Sequence, residues 1–255
     1  MRYCLLSLLT WFLFSCRQYS DPAAMVKVAA HDTCIPVSVG SIPLPEGYTR
    51  VKYPAASFEA WLRELQLKKD KTVYLYNGLA KKNQSAQYAV IDLPRSATDL
   101  QQCADVVIRL RAEYLFSQKK YNDIRFTDFE GREYCWKNSD DRVAFEKYMT
   151  QVFSWCGSAS LEKQLKPVPD FNSLTAGDVL IRGGFPGHAV IIADVAMNQK
   201  GEKIFLLVQG YQPAQDMHVL KNLWDINLSP WYKDPGTENI NTPEWVFYKS
   251  QLRRW

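Results

Sequence analysis

The feature that most constrains this chain is the stretch after Ala176, where DVLIRGG, HAVIIADVAM, KIFLLVQGY and MHVLK follow one another with Gly, Asn and Lys turns between them. Runs of aliphatic and β-branched residues at that spacing read as successive strands, and connections this short make neighbouring strands antiparallel. Upstream the periodicity is helical. SFEAWLRELQL (57–67) offers Ser57 as an N-cap and apolar residues at Phe58, Trp61, Leu62 and Leu65, one stripe of an amphipathic helix. After a cap at Ser96 or Thr98, the series Cys103, Val107, Leu110, Tyr114 recurs at i, i+4, i+7 and i+11, again one buried face. SDDRVAFEKYMTQVF (139–153) predicts a further helix capped by Ser139 or Asp140, followed by a break at Gly157 and the short turn SLEKQL. VYLYN (73–77) and QYAVIDL (87–93) predict a hairpin around the polar loop KKNQSA. Helices first and a meander after them define an α+β chain, with N-terminal helices packed on an antiparallel β-sheet. The aromatic tail, with SPWY and TPEWVFY, is expected to lie over that sheet.

The N-terminus follows a different logic. Met-Arg-Tyr precedes an apolar run from Cys4 to Phe14, then Ser15 and Cys16. That run is too short to span a bilayer and has the layout of a secretory signal. Leu13-Phe14-Ser15-Cys16 resembles a bacterial lipobox, which implies cleavage after residue 15, a diacylglycerol on Cys16 and a place in the cell envelope. The periplasmic face of the outer membrane is the default location. Residues 16–45, polar and carrying Pro22, Pro36, Pro43 and Pro45, read as a tether, so that 46–255 forms a single domain with extra helices inserted at about 122–165. The formal charge of +4 falls to +3 when Arg2 leaves with the signal, too mild a balance to imply nucleic acid as a partner. His31 falls in the tether and is a poor candidate for chemistry.

Cys34, Cys103, Cys135 and Cys156 remain besides Cys16. They show no paired CxxC spacing, so no metal is expected, and nothing else in the sequence calls for a cofactor. Cys103 near the start of its predicted helix and His188 opening a predicted strand suggest an activated thiol, because an imidazole and a helix N-terminus both favour thiolate. The alternatives are a core cysteine and a satisfied strand-end histidine. Cys156, in WCGSAS, is a rival nucleophile only 31 residues from His188. His218 is expected either to line the same cleft or, in preference, to face solvent, and Tyr211, Trp231, Trp245 and Tyr248 form either an aromatic core or a stacking wall for a glycan.

LTAGDVLIRGGFPGHAVIIADV resembles the stretch around the catalytic His of papain-fold amidases of the NlpC and CHAP kinds, with Gly177, Asp178, Gly187 and His188 at the matching places. Gln102-Cys103, leading into a helix with Asp105, is similar to the nucleophile segment of CHAP amidases. More broadly, QCAD…RLRAEYL, GHA, VQGYQPAQ and TPEW resemble an uncharacterised family of Bacteroidetes lipoproteins over nearly the whole chain, a likeness that brings no established activity. The amidase resemblance implies a papain-like core, Cys103 as nucleophile and His188 as general base and then acid. It also implies an orienting group from the strand after the histidine, for which Gln209 is the match. Asp194 is nearer in sequence but lies about 20 Å along the same strand. Gln102 or the backbone N–H of Cys103 would serve as oxyanion donor. Two functions follow as expectations: a cysteine amidase or peptidase acting on peptides, peptidoglycan stem peptides among them, or an inactive papain-like lipoprotein that binds wall glycan or a partner protein. The separation of 85 residues between Cys103 and His188, and a neutral Gln as orienter, depart from the amidase pattern.

Overall fold

The computed structural model describes residues 35–137 and 140–255. Its first half carries β1 (Tyr48–Arg50), α1 (Phe58–Glu64), β2 (Gln87–Val90) and α2 (Cys103–Ser117). The hairpin β3 (Arg125–Thr127) and β4 (Glu133–Cys135) follows, then α3 (Arg142–Trp155), α4 (Ser158–Gln164) and β5 (Lys166–Pro167). The second half contains β6 (Val179–Arg182), β7 (His188–Asn198), β8 (Lys203–Gln209), β9 (His218–Leu220) and β10 (Tyr232–Lys233). It ends with the hairpin β11 (Asn239–Asn241) and β12 (Val246–Tyr248) and with β13 (Leu252–Arg254). The main sheet runs β2-β9-β8-β7-β6-β13-β5, with β1 on the far end of β7 and β10 on β8. All of its pairings are antiparallel. The protein is thus a mixed α+β structure built on one large antiparallel sheet.

Strands β6, β7 and β8 read as nearly continuous apolar runs because both faces of the sheet are covered. Ala189, Ile191 and Ala193 of β7 join a core with the helices, while Val190 and Ile192 join a second core with Phe247, Ile240 and Leu252 of the C-terminal tail. The tail therefore packs across the sheet, as its aromatic content suggests. A bulge breaks the alternation: Ile192 faces Leu207 and Asp194 faces Leu206, leaving Ala193 as the extra residue. A bulge shifts which side of the strand each later residue occupies. Asp194 thereby accepts from Arg50 Nε at 2.7 Å and Arg63 Nε at 2.9 Å. A fully buried carboxylate is tolerable only with such partners.

Helix α2 departs from the amphipathic picture. The side chains from Cys103 to Leu110 are all buried, since α1 and α4 pack on it from one side of the sheet and β7 and β8 from the other. Two of its charged residues, Arg109 and Glu113, are neutralised in place. Arg109 donates to Glu113 at 2.6 Å and to Glu146 of α3 at 2.6 and 2.8 Å, and Arg142 of α3 returns to Glu113 at 2.6 Å.

Three boundaries differ from the sequence reading. Residues 35–45 are part of the domain instead of tether: Val39 and Ile42 are fully buried, and Val39 N–H donates to Leu65 O. The rest of the expected tether and the segment 1–15, with Cys16, Cys34 and His31, lie outside the described residues. The stretch 73–77 makes isolated bridges to Ala80 and Gln215 in place of a strand, because the polar loop 81–86 folds back on it through Gln84, whose side chain bonds both Val73 N and Val73 O. The helix expected from Ser139 begins at Arg142, with Asp141 as its N-cap accepting from Ala144 N. Ser139 is among the residues not described.

Candidate active site

Two close backbone approaches bring the ends of α2, β7 and β8 together. A Cβ on Gly210, the residue after β8, would lie 2.6 Å from Val106 Cγ2 and 3.1 Å from Gln102 O, so only glycine lets the first turn of α2 rest on the end of β8. A Cβ on Gly187, before β7, would lie 2.2 Å from Ser158 Oγ and 2.5 Å from Gly184 O. The result is a cleft of about 550 Å³ whose lining includes Cys103, His188, Gln102, Tyr211, Trp245 and Cys156. Gly177 and Asp178 stand outside it and are structural. Gly177 takes φ +86° against the Phe58 ring, and Asp178, fully buried, receives Arg254 in a two-pronged bond at 2.7 and 2.8 Å.

His188 is 2% exposed and its Nε2 lies 3.1 Å from Gln209 Oε1. The identity of the atoms follows from counting donors. Gln209 Nε2 donates to Glu244 Oε2 at 2.7 Å and lies 3.2 Å from His218 Nε2, while His218 Nδ1 lies 2.9 Å from Asp216 O. A carbonyl oxygen only accepts, so His218 carries its proton on Nδ1 and takes one amide hydrogen of Gln209 on Nε2. Glu244 takes the other. Gln209 Oε1 must then accept from His188 Nε2–H, which leaves Nδ1 of His188 as its free lone pair. The ring is held by stacking on Phe247 at 5.6 Å and by Trp245 and Tyr211 at 5.3 and 5.0 Å.

Behind Gln209 lies an ion pair. Lys81 Nζ is 2.6 Å from Glu244 Oε2, with Lys81 8% and Glu244 11% exposed, and Asn83 Nδ2 donates to Glu244 Oε1 at 3.2 Å. Lys81 comes from the loop after the bridge region and Glu244 from the TPEW tail, so the orienting amide is fixed by segments remote from either helix or strand of the pair.

The thiol of Cys103 sits in the first turn of α2 and is buried. Burial pushes its pKa up and the nearby Asp105 carboxyl adds to this, while backbone N–H groups of Ala189, Ala104 and Cys103 itself pull the other way. Asp105 is itself held well above the usual carboxylate range by burial, against the Gln102 N–H bond that lowers it. Burial lowers the His188 pKa to about 4, against the Gln209 bond and the Glu244 charge that raise it, with Lys81 lowering it further. The resting pair is a neutral thiol and a neutral imidazole. No direct hydrogen bond joins them among the described residues.

The other candidates fall out as follows. Gln102 lines the cleft, but its Nε2 donates to Asp99 Oδ1 at 3.0 Å and its Oε1 accepts from Gln212 at 2.7 Å, so as an oxyanion donor it must first release Asp99. The Cys103 N–H, at the helix start, has no intrahelical acceptor. Cys156 caps α3 in the same cleft with its pKa pushed up to about 12 by burial first, then by Asp128 and Asp105. Asp194 belongs to the Arg50 and Arg63 pairs. His218, expected in solvent, is fully buried, because the loop 212–217 carries β9 under the 73–76 segment, where Tyr76 N donates to Ala214 O. Trp231 is core, whereas Tyr211 and Trp245 face the cleft and Tyr248 is half exposed. Cys103, Cys135 and Cys156 are free thiols. Among the described residues no group of three or more His, Cys, Asp or Glu is placed to hold a metal ion, and no helix is long and apolar enough to cross a membrane.

The fold is α+β with one large antiparallel sheet, and it places a helix-borne thiol and a strand-borne imidazole, itself bonded to an amide, at one cleft. By sequence, the chain belongs to the family described as Domain of unknown function (4846), which matches residues 40–139 and 132–254. Comparison with curated proteins and with solved structures gives no match.

Proposed function

We propose that this protein is a lipid-anchored cysteine amidase or peptidase of the cell envelope with a papain-like core, and that peptidoglycan stem peptides are its substrate class. The observation that carries the reading is the chain His188 Nε2–H to Gln209 Oε1, with the amide locked by Glu244 and His218. It fixes the tautomer that leaves Nδ1 as a base in the cleft that Cys103 also lines. In the reaction, Nδ1 takes the thiol proton as Sγ attacks the substrate carbonyl. The C–N bond then breaks, and Nδ1–H protonates the leaving amine. Water, losing its proton to Nδ1, hydrolyses the thioester and restores the thiol. The Cys103 N–H at the start of α2 is the nearer oxyanion donor, with Gln102 joining once it leaves Asp99. None of the cleft's described lining residues is a lysine or arginine, which favours neutral or amine-bearing peptides over carboxylate-rich ones.

A second reading is supported by the neutral resting pair: the same cleft in a protein that binds wall peptides or glycan without cutting them. One experiment separates the two. Wild type and Cys103→Ala are incubated with stem peptides and muropeptides, with cleavage and binding both measured. Cleavage lost at least a thousandfold in Cys103→Ala, with binding kept, is the expected result. Binding without turnover in wild type selects the second reading, and cleavage that survives in Cys103→Ala removes Cys103 from the mechanism.

A further inference from the structure

The loop after β9 is built inside out. Leu223, Trp224 and Ile226 are 49, 59 and 84% exposed, while Asn222 beside them turns inward and Asp225 is partly covered. Asn222 is buried, its Oδ1 accepts from Trp224 N and Asp225 N, and its Nδ2 donates to Trp231 O at 3.0 Å. Asp225 accepts from Leu228 N and pairs with Lys233 at 3.2 Å, so its charge is satisfied at the loop base. A side-chain framework thus holds three apolar tips out in water, where each is unfavourable unless something covers them.

The occupant is suggested by where the loop stands relative to the N-terminal segment. Trp231, which closes the loop, donates its indole N–H to Pro43 O at 2.8 Å, so the loop is rooted on the segment through which the chain comes in from its N-terminus. Eighteen residues lie between Cys16 and Ile35, a span of at most ~65 Å when extended and about 25 Å as a coil. A lipid on Cys16 would hold the domain within that distance of a bilayer, on the side from which the segment emerges. We propose that Leu223, Trp224 and Ile226 insert into the headgroup region of the membrane that holds the lipid anchor, forming a second attachment that fixes how the domain faces the surface. Tryptophan and aliphatic side chains suit that layer. This rests on the lipid-anchor reading of Cys16 and is independent of the chemistry in the cleft.

The test uses the lipidated mature chain, residues 16–255, with vesicles of phosphatidylethanolamine and phosphatidylglycerol carrying acyl chains brominated near the headgroup. Flotation reports the anchor, and quenching of tryptophan emission reports the loop. Seven of the eight tryptophans remain once Trp11 leaves with the N-terminal segment, so the loop is read from the difference between wild type and Trp224→Phe. The expected result is a quenched component that disappears in Trp224→Phe and falls at least severalfold in Leu223→Ser/Ile226→Ser. A chain that floats but is quenched equally in wild type and Trp224→Phe overturns the loop and leaves the anchor standing. A chain that does not float overturns both. A loop-dependent dimer without quenching overturns membrane insertion and gives the patch to a second copy of the chain.

Discussion

Replacing Glu244 by Gln tests the network behind the candidate imidazole. The carboxylate and Lys81 are 11 and 8% exposed and 2.6 Å apart, so the variant leaves an ammonium in a site built for its counter-ion. Removing one partner of a buried pair destabilises by about 3 to 5 kcal/mol, and the amide that replaces Glu244 can still accept one bond. A loss of about 3 kcal/mol is therefore expected, a sizeable share of the roughly 5 to 15 kcal/mol of a typical domain. With a urea slope of about 2 kcal/mol/M, that moves the unfolding midpoint by about 1.5 M. The pH dependence has a definite sign. Burial already lowers the Lys81 pKa, and loss of the carboxylate lowers it further below the unfolded value. Between those two values the unfolded chain binds more protons, so the variant gains stability as pH rises and its deficit against wild type narrows from pH 7 to 9.5. Lys81→Met/Glu244→Gln removes both charges and should recover most of the loss. Urea titrations of the four proteins by tryptophan fluorescence at both pH values provide the data. Equal midpoints for wild type and Glu244→Gln, or a double variant as weak as the single, would refute the reasoning.

Two further outcomes follow from the same region. His188 and His218 are both held at about 4 by burial, so the unfolded chain binds more protons below about pH 6.5. Their contribution is complete above that value and is lost as pH falls through 4, about 3 kcal/mol per ring. Urea midpoints from pH 7.5 to 4 should fall less in His218→Asn than in wild type, and parallel curves would count against a buried neutral His218. Gly210→Ala places a methyl 2.6 Å from Val106 Cγ2 and should destabilise by about 1 to 3 kcal/mol while displacing Cys103 from β8. Val106→Ala should relieve part of that loss in a double-mutant cycle, and a neutral Gly210→Ala would show that α2 does not depend on this approach.

The sequence made the helix-then-sheet order legible, because strong periodicity and turn residues act locally. It also singled out Cys103, His188 and Gln209, of which the fold brings the first two to one cleft and the last two into one hydrogen bond. What it concealed is long-range. Glu244 is 35 residues beyond Gln209 in an aromatic tail with no period, and Lys81 lies in a loop whose polarity reads as exposure. Both are buried because they neutralise each other, which a single-chain pattern does not display. His218 sat in a short β run that offered no reason to bury an imidazole until Gln209 supplied its partner. The prolines of 36–45 suggested a tether, yet Val39 and Ile42 between them are core. A signal did exist for Glu244: TPEW is a compact motif with an acid between proline and tryptophan, an unusual place for a charge in a stretch expected to pack over a sheet.

The neutral orienter and the buried ion pair bear on each other. A carboxylate in the place of Gln209 would bind His188 Nε2–H directly and stabilise the imidazolium, at the expense of burying a bare charge beside three aromatic rings. Here the charge is set one amide further back, on Glu244, and Lys81 cancels most of it in the resting state. In the proposed reaction the imidazole would consequently be a weak base before substrate arrives, and its conjugate acid a strong donor to a leaving amine. Such a site depends on the substrate itself to exclude water and to place negative charge where the imidazolium forms, since the thiol is not ionised in advance. A thiol kept protonated is also slower to oxidise, because reactivity follows thiolate character. A thiol pKa raised by burial is therefore compatible with the proposal of a Cys103 nucleophile formed only in the occupied cleft.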